Sequence, residues 1–360
     1  MRILFIHSIG KYKYGGGERW VVKAAAGLQK AGHEVYLGGR SDSILLKEAA
    51  QAGIETEGFN IYSDLSLYQS YRIARFIRKN NIEVLISKRR DLGVAGIAAK
   101  MAGNPLVLTR SGSPPQRSIK KHIYLMRNLA DGIITNTETI KKTYQDNGIT
   151  EEDFIRVIYN GLTLNDNTKP FNFQEVFPGK KVILCLGRAV ADKGYYYIID
   201  ALELLKDKLK DIIVYVIGDG KEREELVRYA ESRGVGDLIF FAGYISQPDG
   251  YLKGCDLFVH ASLYEGMPNA PMEAMAYGKP TIMTRVNGAD ELSDGGKFAR
   301  LIPPADSKAI AQAIEEYFSN TDAFHRTAAE ARDYVRKKFT VGVMIEQIEQ
   351  FIGERSNKKV

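Results

Sequence analysis

Two carboxylates separated by seven residues are the most informative chemical feature of the chain. Glu265 and Glu273 bracket the run Glu265-Gly266-Met267-Pro268-Asn269-Ala270-Pro271-Met272-Glu273. An apolar run over 256–260 precedes it, and Gly278 and Pro280 follow. Proline near the start and glycine at the stop predict a helix that opens near Pro268 and ends at Gly278. The first turn of a helix has N–H groups without an intrahelical acceptor, so the amides of Met267, Asn269 and Ala270 would form an anion site suited to a diphosphate. Carboxylates beside phosphate repel it unless they accept hydrogen bonds from hydroxyls. A nucleotide-sugar supplies both the phosphates and the hydroxyls. Taken singly, a capped surface helix with Glu273 paired to a lysine explains the same residues.

Cations occur in a second glycine-flanked run, Leu186-Gly187-Arg188-Ala189-Val190-Ala191-Asp192-Lys193-Gly194. Taken by themselves, Arg188 and Lys193 read as ordinary surface cations. Gly15-Gly16-Gly17-Glu18-Arg19 lies between the first apolar run and the first helical pattern, and glycine there lets backbone approach a phosphate or sugar. Gly218-Asp219-Gly220 has no third glycine at dinucleotide spacing, which argues against a dehydrogenase. No Asp-any-Asp pair is present, and the two cysteines, Cys185 and Cys255, lie in apolar runs without a metal-ligand neighbour. The five histidines are scattered along the chain, so no metal site is expected.

These residues need elements to position them. Apolar runs over 2–6, 34–38, 83–87 and 106–109 alternate with helical patterns, the rhythm of βαβ units and parallel sheets. Turn formers concentrate between Asn160 and Gly179, and the rhythm restarts at Lys181. The expected fold is α/β, with two Rossmann-like, doubly wound domains facing a cleft. We place them at residues 1–170 and 171–340, with a C-terminal helix over 341–360 that would pack back on the first domain. Ligands in such sheets bind beyond the carboxyl ends of the strands.

The motifs resemble the Glu, seven residues, Glu pattern and the Gly-Arg…Lys-Gly loop of the large retaining glycosyltransferase family with the GT-B fold, family four (group 1 type). Val216-Ile217-Gly218-Asp219-Gly220, Phe241-Ala242-Gly243-Tyr244, Ile134-Thr135-Asn136-Thr137-Glu138 and Val157-Ile158-Tyr159-Asn160-Gly161 extend the resemblance from residue 1 to about residue 340. It implies that Glu265 lies near the donor sugar's hydroxyls, that Glu273 binds the ribose, and that Arg188 and Lys193 clamp the diphosphate. Gly266, Met267, Asn269 and Ala270 would line the phosphates, Gly243 and Tyr244 the base, and Gly16 and Gly17 the donor. The family works without metal, so no cofactor is expected. Many relatives carry histidine where this chain has Arg110, and a guanidinium stays protonated and cannot serve as a base.

The implied activity is transfer of a hexose-type sugar from a nucleotide-diphosphate donor such as a UDP-sugar, with retention, to a glycan or glycolipid. Cell-surface polysaccharide or lipopolysaccharide synthesis would be the setting. A nucleotide-sugar epimerase or a bilobal ligand-binding protein are the rival readings, but neither accounts for both motifs. The net charge of +6 is uneven, with +8 over residues 1–175 and −2 beyond. Lys88, Arg89 and Arg110 are therefore expected to meet an anionic acceptor, together with Arg117, Lys120 and Lys121. Arg72, Arg75, Arg78 and Lys79 recur at helical spacing, a pattern that reads as an exposed helix face, with a peripheral contact with a membrane as the alternative. No nucleic-acid recognition motif accompanies the charge. No apolar run is long enough to span a bilayer, and a cytoplasmic protein at the inner membrane face is expected.

Overall fold

The computed structural model describes residues 1–12, 14–63, 65–112, 119–149 and 151–359. Two compact units divide the chain: Met1–Gly161 with Phe339–Val360, and Leu162–Lys338.

The first unit is built on a seven-stranded parallel sheet. Its strands are β1 (Arg2–Ile6), β2 (Glu34–Gly39), β3 (Glu55–Gly58), β4 (Val84–Lys88), β5 (Leu106–Ser111), β6 (Gly132–Thr135) and β7 (Ile155–Val157). Their order is β3-β2-β1-β4-β5-β6-β7. Both faces are covered, which is why β1 is apolar almost throughout and β5 is buried along its whole length. Strand alternation sends Ile3 and Phe5 into one core, and Leu4 and Ile6 into the other.

The helix Val341–Lys359 belongs to this first unit and closes one of its cores with Met344, Ile345, Ile348, Phe351 and Ile352. Burial of each such side chain contributes about 1.5–3 kcal/mol. Close approach requires small residues on the receiving surface. A Cβ at Gly27 would lie 2.5 Å from Ile345, and one at Gly132 would lie 2.7 Å from the ring of Phe351.

The units meet at Gly161/Leu162 instead of 170/171, and the second ends at Lys338 instead of 340. Turn formers marked an irregular stretch, but packing decides which unit owns it. Ile158 is buried in the first core, and a Cβ at Gly161 would lie 2.7 Å from Val341. Residues from Asn165 onward are tied into the second unit. Lys253 Nζ donates to the carbonyls of Asn165, Asp166 and Thr168 at 2.8–2.9 Å.

The second unit has six parallel strands, β8 (Lys181–Leu186), β9 (Ile212–Ile217), β10 (Ile239–Gly243), β11 (Leu257–His260), β12 (Thr281–Thr284) and β13 (Arg300–Ile302). Their order is β10-β9-β8-β11-β12-β13. Ile183, Val214, Val216, Leu257 and Val259 form the centre of one core, against Ile198, Leu202 and Ile310.

Candidate active site

In the second unit β8 and β11 are neighbours, and their following connections run to opposite sides of the sheet. At such a switch point the loops beyond the carboxyl ends part, and this is where open α/β sheets bind ligands. The loop after β8 carries Arg188 and Lys193, the loop after β11 carries Glu265, and the helix Asn269–Ala276 follows.

Glycines set how closely these loops approach. Gly218 has φ +140°, and a Cβ there would lie 1.9 Å from the carbonyl oxygen of Gly187. Gly194 has φ +68°, and its Cβ would lie 2.0 Å from the carbonyl oxygen of Ala261. Only residues without a side chain fit, so the loop after β8 lies directly on its neighbours.

Three donors converge on one oxygen of Glu265. Lys193 Nζ forms an ion pair with Oε1, Ser262 Oγ donates to it at 2.9 Å, and His260 Nε2 lies 3.1 Å away. No described residue donates to Oε2. Burial opposes ionisation of this carboxyl, but the hydrogen bond from His260 and the charge of Lys193 outweigh it and bring it down to about 2. Burial lowers the pKa of His260, so the ring is neutral near pH 7 and presents its Nε2–H to the carboxylate. Ser262 is fixed in turn: its Oγ also lies 3.0 Å from the carbonyl of Asp192, and Thr284 Oγ1 donates to its own carbonyl at 2.6 Å.

The remaining expected positions are distributed around this group. Gly266 is half-buried and Met267 buried just before the helix, Asn269 and Ala270 open it, and Glu273 lies half-buried in its second turn. Arg188 is exposed on the loop after β8 and takes no part in the Glu265 cluster. Gly243 ends the edge strand β10 and accepts a 2.8 Å bond from Gly218 N–H, which ties it to the central loops. Tyr244 beside it is exposed. His260 and Ser262 were missed as supports of Glu265, since a histidine ending an apolar strand reads as core.

A second buried charge cluster occupies the matching switch point of the first unit, between β1 and β4. Glu18 Oε1 faces His7 Nε2 at 2.9 Å and Lys88 Nζ at 3.4 Å, while Oε2 accepts from Gly15 N–H at 3.0 Å. Burial pushes the Glu18 carboxyl up, but the His7 bond and Lys88 prevail and hold it at about 2. Burial lowers His7 to about 4. Gly16 and Gly17 open the helix Gly16–Lys30 that Glu18 anchors. The histidines are thus not simply scattered: His7 and His260 each bond a buried carboxylate.

Arg110 lies within β5, buried, with its guanidinium 4.0 Å over the Trp20 ring and Nη2 donating to Asn160 Oδ1 at 3.1 Å. Its Nε is buried without a partner, and burial pulls its pKa down to about 10, so it remains a cation. Arg89 Nη1 donates to Ser111 Oγ at 3.3 Å and to Tyr144 Oη at 3.2 Å. Arg117 lies outside the described residues. Among the described residues no three His, Cys, Asp or Glu side chains gather as a metal site.

Two all-parallel Rossmann-like units, with a charged loop-and-helix site beyond the switch point of the second, define the GT-B class of α/β proteins. Residues 166–336 match the model for glycosyl transferases group 1, and residues 14–166 match that for Glycosyltransferase Family 4. The chain belongs to this glycosyltransferase family. It is 27% identical over 237 residues to the lipopolysaccharide core biosynthesis glycosyltransferase LpsE of Rhizobium meliloti (strain 1021), covering 65% of each chain. It is 25% identical over 255 residues to the capsular polysaccharide biosynthesis glycosyltransferase CapM of Staphylococcus aureus, covering 66% of this chain and 67% of that one. The match to LpsE thus spans just under two thirds of that relative's length. Among solved structures, Anabaena HepE in complex with UDP and glucose has a TM-score of 0.86 at 22% identity, over 98% of this chain and 100% of that chain.

Proposed function

We propose that the chain is a retaining glycosyltransferase that moves a hexose from a UDP-sugar to a glycan or glycolipid acceptor, in synthesis of a cell-surface polysaccharide or lipopolysaccharide. The observation that carries this reading is Glu265: it is held ionised, with Oε1 occupied by three donors and Oε2 left to accept from a sugar hydroxyl. The names of LpsE and CapM support the acceptor class, and the UDP and glucose bound to HepE support the donor.

In this reading the amides at the start of the helix Asn269–Ala276 hold the diphosphate, with Arg188 and Lys193 as its cations. Glu273 takes the ribose, and Gly243 and Tyr244 flank the base. The bond between the anomeric carbon and the β-phosphate oxygen breaks while the acceptor oxygen bonds that carbon on the same face. The acceptor's proton passes to the departing phosphate oxygen, so neither a metal nor a protein base is required. Lys88, Arg89 and Arg110 serve an anionic group of the acceptor. A buried guanidinium bonded to an amide oxygen, with Glu18 acting on its charge from beyond ion-pair range, keeps a desolvation cost that an acceptor anion would offset.

UDP and UDP-glucose are expected to raise the melting temperature, since each binds the native state. Glu265→Ala and Arg188→Ala are each expected to abolish transfer with the circular-dichroism spectrum intact. Full activity in both variants overturns the assignment.

A further inference from the structure

One stretch of the first unit presents apolar side chains that its own core does not use. Tyr62, Leu65, Leu67, Tyr68 and Tyr71 are 74%, 55%, 70%, 69% and 52% exposed. They occupy the approach to the helix Leu67–Lys79 and its first turns. The inner face of that helix, Gln69, Ser70, Ile73, Ala74 and Ile77, is buried. The amphipathic demand of the fold is thereby met, so the outward Tyr and Leu residues lie outside its core, with the Arg40 guanidinium 5.9 Å over the Tyr62 ring. Single exposed apolar residues are ordinary, whereas a contiguous group marks an interaction surface.

The same outward face continues through Arg72, Arg75, Arg78 and Lys79, and the helix contains no Asp or Glu. Arg72 leans on Glu57 at 3.6 Å, and Arg78 donates to the carbonyl of Met101 at 2.8 Å, a residue that is itself exposed. Arg75 and Lys79 point their charge outward with no carboxylate in ion-pair range among the described residues. The surrounding unit has 27 Lys and Arg against 18 Asp and Glu, a net +9, whereas the other unit is at −3.

We propose that this face docks the protein on an anionic lipid surface. Tyrosine rings suit the headgroup boundary, arginine and lysine stems extend along apolar surface while their charges meet phosphates, and the leucines enter the acyl edge. Outward leucines are what favour a bilayer over a nucleic acid, whose phosphodiester backbone gives them nothing to contact. The inference deepens the glycolipid part of the proposed function and rests on it only for its purpose; docking itself does not require transfer.

The test is flotation of the full chain with vesicles of phosphatidylcholine alone, or of phosphatidylcholine with phosphatidylglycerol. Binding is expected only to the second. The pairs Tyr68→Ser/Tyr71→Ser and Arg75→Glu/Arg78→Glu alter exposed side chains, and unchanged melting temperatures check the fold. The arginine pair should weaken binding by about tenfold or more, as about 1 kcal/mol per basic residue near the surface implies, and the tyrosine pair should weaken it through lost contact at the headgroup boundary. Lys308→Glu/Lys337→Glu makes the same charge change in the other unit and should leave binding intact. Equal binding to neutral vesicles, no binding to either, or equal loss in the control pair overturns the proposal. UDP stabilisation, measured separately, tells this failure from failure of the glycosyltransferase reading.

Discussion

Lys193 and Glu265 are 72 residues apart in sequence and form an ion pair beyond the carboxyl ends of adjacent strands. The pairing joins the two motifs into one site. His260 and Lys193 together fix the carboxylate's charge and position, and Oε2 accepts from no described residue.

Replacing Glu265 with Gln keeps the shape of the side chain but removes the charge. UDP affinity should change only a few-fold, while kcat falls by about a hundredfold or more, the scale for loss of one preorganised electrostatic group. An unchanged kcat in steady-state assays with UDP-glucose refutes the role given to Glu265.

Acid should destabilise the protein in two steps, both with the same sign. His7 lies at about 4 when folded and near 6.5 when unfolded, so the unfolded chain takes up its proton first. The associated stability is present above 6.5 and is lost as pH falls through 4. Glu18 and Glu265, each at about 2, contribute stability present above 4.5 and lost as pH falls through 2. Urea unfolding followed from pH 7 to pH 4 should show the first loss, and His7→Asn should flatten that slope.

Glycine positions offer a steric comparison. At Gly218 an alanine methyl would meet the Gly187 carbonyl at 1.9 Å, whereas at Gly53, φ +77°, nothing lies within 4 Å. Gly53→Ala should cost only the left-handed strain, about 1–2 kcal/mol. Gly218→Ala should cost more than about 3 kcal/mol and also weaken UDP binding, because the loop carrying Arg188 must move. Thermal melts with and without UDP decide this, and equal effects at both positions rule out the close-packed loop.

The C-terminal helix is predicted to be integral to the first unit. Phe351→Ala removes a fully buried ring and should lower stability by about 3–5 kcal/mol. A melting temperature within a degree or two of the parent would show that the helix is dispensable.

Much of this protein is fixed by local patterning. Apolar runs such as Arg2–Ile6 and Ile212–Ile217 could only be strands buried on both faces, and Pro268 and Gly278 delimit their helix by backbone restriction alone. Both motifs of the candidate site, which the structure joins through Lys193 and Glu265, were legible because glycine, charge and spacing are chemical facts of the sequence. Strand β3, Glu-Thr-Glu-Gly, was not legible, because an edge strand can be polar. Nor was the role of His260 or His7: an apolar run ending in histidine looks the same whether its ring packs in a core or faces a carboxylate. That outcome depends on which strands lie side by side. Sheet order set β8 beside β11 and β1 beside β4, and so brought together charges that the sequence keeps far apart. Ownership of the last helix was decided in the same way, by glycines at 27 and 132 that admit Ile345 and Phe351. Local chemistry chose the elements; long-range packing, which no short window of sequence contains, chose their neighbours.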